Sequence, residues 1–343
     1  MYQTMHRQPS DLRRLLADGW TAASEAAEKL AKARRVFVVG IGTSYHAALM
    51  GGWLLRAADC DTRAVSSFDF SLYPESFALS GGDAVIVMAH SGVKTYSSQA
   101  LQRAEAVGAT RISIGSLTAE HAGSQQILRT VEREKSAAFT ASHLAAMFVL
   151  AQIATSLGES RQAPATRELR SALEALPEQV EGALAREEEV NAIAQQVANK
   201  RIYAVGGGPN EASAIEAVIK VREAAQGWID GLAIEQFLHG PLVAVNADDA
   251  AVVVHVAGTA SARTHEIARV LEAVGARVWV IGQRIESMDT FELPSVPELI
   301  SPLLTVVPVQ MLAYHMAVVR GINPDVFRRD DPRYAAALGL LKL

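Results

Sequence analysis

Cysteine is almost missing from this sequence: Cys60 is the single one in 343 residues. One thiol can close no internal disulfide and build no cysteine metal cluster, a usage that fits a reducing compartment. An excess of one charge is missing too. The 32 Lys and Arg residues are scattered among 37 Asp and Glu, for a net charge of −5, so no basic stripe speaks for nucleic acid. No uninterrupted apolar run reaches about 18 residues, and the opening "MYQTMHRQPSDLRR" lacks the apolar centre of a signal peptide. The expectation is a soluble, cytoplasmic protein with no membrane partner, no metal and no cofactor. What the chain does hold is hydrophobic residues, half of the total at a mean hydropathy of +0.14, which is globular composition of a length suited to two domains.

The sequence repeats itself. "RRVFVVGIGTSYHAALM" (34–50) returns as "KRIYAVGGGPNEASAIEAVIK" (200–220), with Gly40 against Gly206, an offset of 166. "DAVIVMAHSG" (83–92) returns as "DAAVVVHVAG" (249–258) at that offset, and "AEAVGATRISIG" (104–115) as "LEAVGARVWVIG" (271–282) at 167. Three matches in one order mean a duplicated unit. In each unit Val/Ile-rich strands such as "VFVVG", "AVIVMA" and "TRISIG" alternate with helical stretches. That pattern predicts parallel sheets covered on both faces, with ligand crevices at the carboxyl ends of the strands. Two segments, 134–159 and 305–321, read as helices apolar nearly all round, destined for a core or for an interface between copies.

Two turns are rich in hydroxyls. After the first strand, "GIGTSYHA" offers Gly42, Thr43 and Ser44; it lacks the third glycine of a dinucleotide fingerprint, so NAD is a weak reading. The turn is either a capped strand-to-helix connection or an anion cradle. After the next strand, "AHSGVKTYSSQAL" (89–101) holds His90, Ser91, Thr95, Ser97 and Ser98, with Gly92 free to adopt an unusual backbone conformation. Two such turns in one sheet favour a phosphate dianion over generous capping. In the second unit, Glu216, Lys220 and Glu223 fall on one helical stripe, which spacing alone reads as an exposed ion-pair ladder. His239, just before a Gly-Pro break, reads by itself as a structural loop residue.

Through "GTSYHA", "HSG", "AFT", "EAVIKVRE", "HGPL" and "VVPVQMLAYHMAVVRG", roughly residues 25–335, the chain resembles the isomerase half of glucosamine-6-phosphate synthase (glutamine–fructose-6-phosphate aminotransferase), a pair of sugar isomerase (SIS) domains. The resemblance implies two flavodoxin-like three-layer α/β/α units, each with a central parallel sheet, and a homodimer that binds a phosphosugar mainly through the first unit. Gly42, Thr43, Ser44, His90, Ser91, Gly92 and Thr95 then fall on or beside the substrate loops, with Lys94 or Thr95 in the place of the family's threonine, and Ser136 beside "AFT" joins them. His90 stands where the family has glutamine. Glu223 matches the glutamate that moves a proton between C1 and C2, Lys220 its neighbouring lysine, and His239 the ring-opening histidine that reaches in from the other subunit. The resemblance thus reverses the bland readings of the stripe and of His239.

Two departures matter. About 25 residues precede the first unit and no N-terminal nucleophilic cysteine is present, so glutamine is not expected to be the nitrogen donor. The family's tail lysine, which forms an imine with the ketose, is replaced by Ala337, with Lys342 five residues later. The expected layout is an N-terminal helical segment (1–25), a SIS domain (26–160), a helical connector (161–190), a second SIS domain (191–325) and a tail (326–343). The expected function is an aldose–ketose isomerase, deaminase or deglycase acting on an amino or amine-conjugated sugar phosphate. A phosphosugar-binding regulator without turnover is the alternative.

Overall fold

A computed structural model describes residues 1–340. Among the described residues the chain forms two compact units: one holds Arg7–Glu134 and Ala141–Pro177, the other Met1–His6, Lys135–Thr140 and residues 178–340. Two helices, α1 (Tyr2–Asp18) and α2 (Trp20–Ala31), precede the first sheet. The sheet is built through β1 (Val36–Gly40), α3 (Thr43–Ala57), β2 (Thr62–Ser66), α4 (Ser67–Leu72), β3 (Ala84–Met88), α5 (Thr95–Ala106), β4 (Thr110–Gly115) and β5 (Gln126–Arg129), followed by α6 (Ala141–Arg161). All its pairings are parallel in the order β2-β1-β3-β4-β5, Val36 facing Thr62 on one side and Ala84 on the other.

After α7 (Leu169–Leu184) and α8 (Glu187–Val197) the pattern returns: β6 (Ile202–Gly206), α9 (Glu211–Lys220), β7 (Ile229–Ala233), α10 (Ile234–Leu238), β8 (Ala250–His255), α11 (Ser261–Val274), β9 (Arg277–Gly282) and β10 (Asp289–Glu292), then α12 (Pro302–Val319) and α13 (Pro332–Leu338). The second sheet runs β10-β9-β8-β6-β7, the first order read from the opposite edge. Both sheets are therefore parallel, as the strand pattern predicts, and of the flavodoxin-like order that the resemblance implies. Even the feet of the strands repeat. Asp83 accepts the Ser80 N–H (2.9 Å) and pairs with Arg34, while Asp249 accepts the Asn246 N–H (2.8 Å) and pairs with Arg201.

The strand order reverses beside β1 and again beside β6, and each reversal opens a crevice at the carboxyl end of the sheet. The chain leaves β1 so tightly that a Cβ on Gly40 would lie 2.5 Å from the Ser44 carbonyl group; on Gly206 it would lie 2.1 Å from the Asn210 oxygen. Only glycine permits that approach. One face of the first sheet buries Phe37, Val39, Val85 and Val87 against Phe70, Leu101 and Ala104; the second sheet buries Val205, Val253 and Val280 against Phe237, Ile267 and Leu271.

Both apolar segments are helices, but the first starts later than expected. The helix read over 134–159 begins only at Ala141, because the Glu134 carboxylate accepts both the N–H (2.8 Å) and the hydroxyl (2.6 Å) of Ser142 and ends the preceding irregular stretch. Ala141–Arg161 and Glu298–Val319 are long and apolar enough to cross a membrane, yet 89% and 83% of their most apolar windows are buried inside the fold. α6 packs on α2 and α3, and α12 on α8 and α9. Most of their apolar surface is buried in the fold, while Val318 and Val319 at the end of α12 stay exposed.

Candidate active site

In the first crevice Gly42 sits at φ +59 and leads into α3 with no side-chain cap, which puts Thr43 and Ser44 in the opening turn of the helix. The Ser44 N–H donates to the Ile41 carbonyl (3.2 Å) and the Tyr45 and His46 N–H groups to that of Gly42 (2.8 and 3.1 Å). Opposite, the chain leaves β3 with Ala89 donating to Ile114 O (3.0 Å), and the His90 carbonyl accepts from Ser116 (2.9 Å). Gly92 turns at φ +96, and α5 starts at Thr95. Ser91 is half-buried, while Lys94 and Thr95 are exposed. Ser97 serves its own backbone: its hydroxyl accepts the Lys94 N–H (2.8 Å) and lies 3.1 Å from the Lys94 carbonyl. For that serine the capping reading holds.

His90 is not a cation in this lining. Burial pushes its pKa down to about 4, with the Glu134 charge pulling upward and Arg133 and Arg7 pushing further down. Sequence reading passed over a neighbour, His121, on the loop after β4. It too is pushed down to about 4, by burial first and then by Arg129 and His90. Among the described residues neither of its ring nitrogens has a hydrogen-bond partner. It lies so close over Gly115 that a Cβ there would meet its Nε2 at 2.2 Å. The only signal for it in the sequence was its place after a strand of the same sheet.

In the second unit, α9 does not run on as an α-helix. At Val221 it widens into a π-helical turn, Val221–Ala225, which ends at Gln226 with φ +50. Such turns often mark functional positions. The turn brings Glu223 Oε2 to 3.0 Å from the Lys220 ammonium, while Glu216 Oε1 reaches it from the other side at 3.3 Å. The stripe is not the exposed ladder that spacing suggests. The side chains of Lys220 and Glu216 are 0% exposed and that of Glu223 is 21% exposed, because α9 is packed between β7 and α12. Burial alone would lower the Lys220 pKa, but the charges of Glu216 and Glu223 and their hydrogen bonds outweigh it and hold it above the ordinary lysine value.

The remaining expected residues are dispersed. His239 follows α10 on an exposed turn, with a 79% exposed side chain and its Nε2 3.4 Å from Glu235 Oε2. Gly240 beside it adopts φ +145, and Val243 is 90% exposed. Ser136 is buried, closes a small turn by accepting the Ala138 N–H (3.3 Å), and belongs to the unit of the second sheet. Ala337 is exposed on α13, and Lys342 lies outside the described residues. Among the described residues no cluster of three or more His, Cys, Asp or Glu is arranged to hold a metal ion.

Residues 29–156 match the SIS domain. Over 336 residues the chain is 28% identical to the glutamine–fructose-6-phosphate aminotransferase (isomerizing) of Pyrococcus horikoshii, covering 95% of this chain and 56% of that protein. The chain thus spans about half the length of the curated relatives it matches. Among solved structures it is similar to the C-terminal domain of glucosamine-fructose-6-phosphate aminotransferase from Francisella tularensis, with a TM-score of 0.85 at 19% identity over 95% of this chain and 97% of that one. It is also similar to glucosamine-6-phosphate deaminase from Thermotoga maritima, with a TM-score of 0.75 at 19% identity over 95% and 96%. The chain therefore carries a SIS domain over residues 29–156, and its two five-stranded sheets both have the SIS fold.

Proposed function

We propose that this chain is an enzyme that binds a sugar phosphate at the first crevice and moves a proton between C1 and C2 of the sugar with Glu223. The observation that carries the proposal is the enclosed Lys220–Glu223 pair on a π turn. A carboxylate held beside an ammonium is an economical base, and the ammonium can stabilise the enediolate oxygen that forms when the proton leaves. Glu223 takes the proton from C2 of the open-chain aldose as the electrons shift to the C1 oxygen, the C2 hydroxyl proton passes to that oxygen, and Glu223 delivers a proton, in part exchanged with solvent, to C1 to leave a ketone at C2. If C2 carries an amine, the shift leaves an imine, which water hydrolyses to the ketone and ammonia.

Several finer assignments belong to this reading. Thr43, Ser44, Ser91 and Thr95 hold the phosphate, with Gly42 and Gly92 letting the backbone approach and His90 lining the crevice as a neutral imidazole. Lys94 lies at the rim. Ser136 touches the sugar. His239 opens the ring in the site of a second copy, for which its exposure and that of Val243 leave it available. The preferred substrate is an amino or amine-conjugated sugar phosphate, as the names of the deaminase and aminotransferase relatives suggest, and the working form is a cytoplasmic homodimer. With Ala337 in the place of the tail lysine, the nitrogen in an imine comes from the substrate; Lys342 is the rival amine, and a sugar adduct on it after borohydride reduction would overturn this reading. A panel of hexose and hexosamine 6-phosphates, scored for thermal stabilisation and for exchange of the C2 or C1 proton in deuterated water, tests the proposal. Binding with exchange supports it; binding without exchange favours the regulator.

A further inference from the structure

The turn proposed to grip the phosphate after β3 rests on a second loop, the connection from β4 to β5 over 116–125. The turn itself closes where the Gly92 N–H donates to the Ala89 carbonyl (3.1 Å), which leaves His90 and Ser91 at its centre. The connecting loop takes hold of it directly. The Ser116 N–H donates to the His90 carbonyl (2.9 Å), and the Val93 N–H donates to the Glu120 carbonyl (3.4 Å). A Cβ on Gly92 would come within 3.1 Å of that same Glu120 oxygen. Arg129, the last residue of β5, braces the loop by donating to the carbonyls of Ser116 (2.9 Å) and Ala119 (2.5 Å).

His121 is the side chain that this loop places beside the turn. It is 4% exposed, and among the described residues neither ring nitrogen has a hydrogen-bond partner. The point where a Cβ on Gly115 would stand is 2.2 Å from His121 Nε2 and 3.0 Å from the Ala89 carbonyl oxygen. The ring nitrogen and the acceptor that closes the turn therefore flank one spot. Burial keeps the ring neutral, so one nitrogen carries a proton to donate. An apolar side chain of similar size would fill the space without leaving a buried donor and acceptor unmet. The second unit does so: its connection from β9 to β10, residues 283–288, holds no histidine and packs Ile285 and Met288 on the hydrophobic core.

We infer that His121 is a positioning residue for the substrate turn: when the turn closes on a phosphate, the His121 Nε2–H donates to the Ala89 carbonyl and fixes the direction of Ser91. The inference rests on the sugar phosphate reading above and adds to it a residue that touches neither the sugar nor the phosphate. A carbonyl oxygen accepts two hydrogen bonds, so the Gly92 N–H and the imidazole share Ala89 without competing. The bare Gly115 gives the ring its room, since a side chain there would displace it from the turn.

The probe is glucose 6-phosphate, with affinity read by calorimetry and the fold by thermal unfolding without ligand. His121→Met, an apolar chain of similar size, should keep or raise the melting temperature and weaken binding about tenfold, the worth of one hydrogen bond. His121→Gln, whose amide nitrogen reaches the place of Nε2, should recover most of that loss. In the unaltered protein with isotope-labelled histidine, saturation with the sugar phosphate should shift the His121 Nε2–H resonance downfield. Equal affinity in the parent and His121→Met overturns the inference and leaves the sugar phosphate reading standing, as does an Nε2 signal that saturation does not move. An equal loss in His121→Gln and His121→Met would show packing rather than the bond, and overturns it too. So does a His121→Met chain that fails to fold, because the ring would then serve the core and not the turn. A parent that binds no glucose 6-phosphate sinks the sugar phosphate reading and this inference with it.

Discussion

Lys220 Nζ lies 3.0 Å from Glu223 Oε2, and the two residues are joined through the first residues of a π turn. The wider turn matters because Glu216 also reaches the ammonium, at 3.3 Å along the α-helical i,i+4 diagonal. One buried cation thus holds two carboxylates of different exposure. Glu216 is wholly enclosed and balances the charge; Glu223 keeps a part of its surface open. Only the second has side-chain surface open to solvent.

Replacing that open carboxylate separates chemistry from binding. Glu223→Gln preserves shape and an acceptor for Lys220 but removes the proposed base. Exchange of the sugar's C2 or C1 proton with deuterated water should fall by roughly 10²–10⁴-fold while sugar phosphate affinity stays within a few-fold. Unchanged exchange, followed by proton NMR, would return Glu223 to a structural role.

Removing the cation has a different signature. Lys220→Met leaves two carboxylates facing each other in a buried place without a partner, a change that costs about 3–5 kcal/mol when a buried pair is broken. Denaturant unfolding should register that loss without any ligand present. A Lys220→Met chain as stable as its parent would mean that the pair is far better solvated than its burial indicates.

Phosphate recognition is read from the hydroxyls of the first crevice. Glucose 6-phosphate should bind and glucose should not. Ser91→Ala should weaken the former by about 1.5–3 kcal/mol, the range of a hydrogen bond to a charged group. Calorimetric titration measures both, and equal affinity for the two sugars contradicts the assignment.

Acid should loosen the same crevice. His90 and His121 stay neutral in the folded chain down to about pH 4, whereas unfolding returns them to the ordinary value of 6.5. Between those values the unfolded chain binds more protons, so the stability they contribute is complete above about pH 6.5 and is lost as the pH falls toward 4. The melting temperature should therefore drop less steeply over that window in a His90→Asn/His121→Asn variant. Parallel slopes would show that both rings protonate freely in the folded state.

The parts of the fold that could be read in advance were those fixed by local chemistry. β1, β3, β4 and their second-unit counterparts are apolar runs buried on both faces, and the Gly40 and Gly206 turns announce themselves. The strands that escaped notice, β2 ("TRAVS"), β5 ("QILR"), β7 ("IDGLA") and β10 ("DTFE"), are the edges of their sheets. An edge strand is short and carries polar residues that make it look like a loop. In the site, the spacing of Glu216 and Lys220 foretold their contact. Nothing local foretold its burial, which depends on α12 packing about a hundred residues later, nor the π turn, whose "VREAA" has ordinary helical composition. His121 was invisible for the same reason: it lies against residues remote from it in sequence, at backbone atoms with no identity to read.

The enclosure of Lys220 also decides how the protein answers to dissolved ions. At physiological ionic strength mobile ions screen exposed charges over about 8 Å, but they cannot enter a packed interior to surround a buried one. Lys94, exposed and proposed to line the rim of the first crevice, offers a charge that added salt will mask, and with it any pull on an approaching dianion. The field Lys220 exerts on Glu223 is shielded from that atmosphere. Raising the salt should slow capture of the phosphate well before it blunts the proton transfer itself.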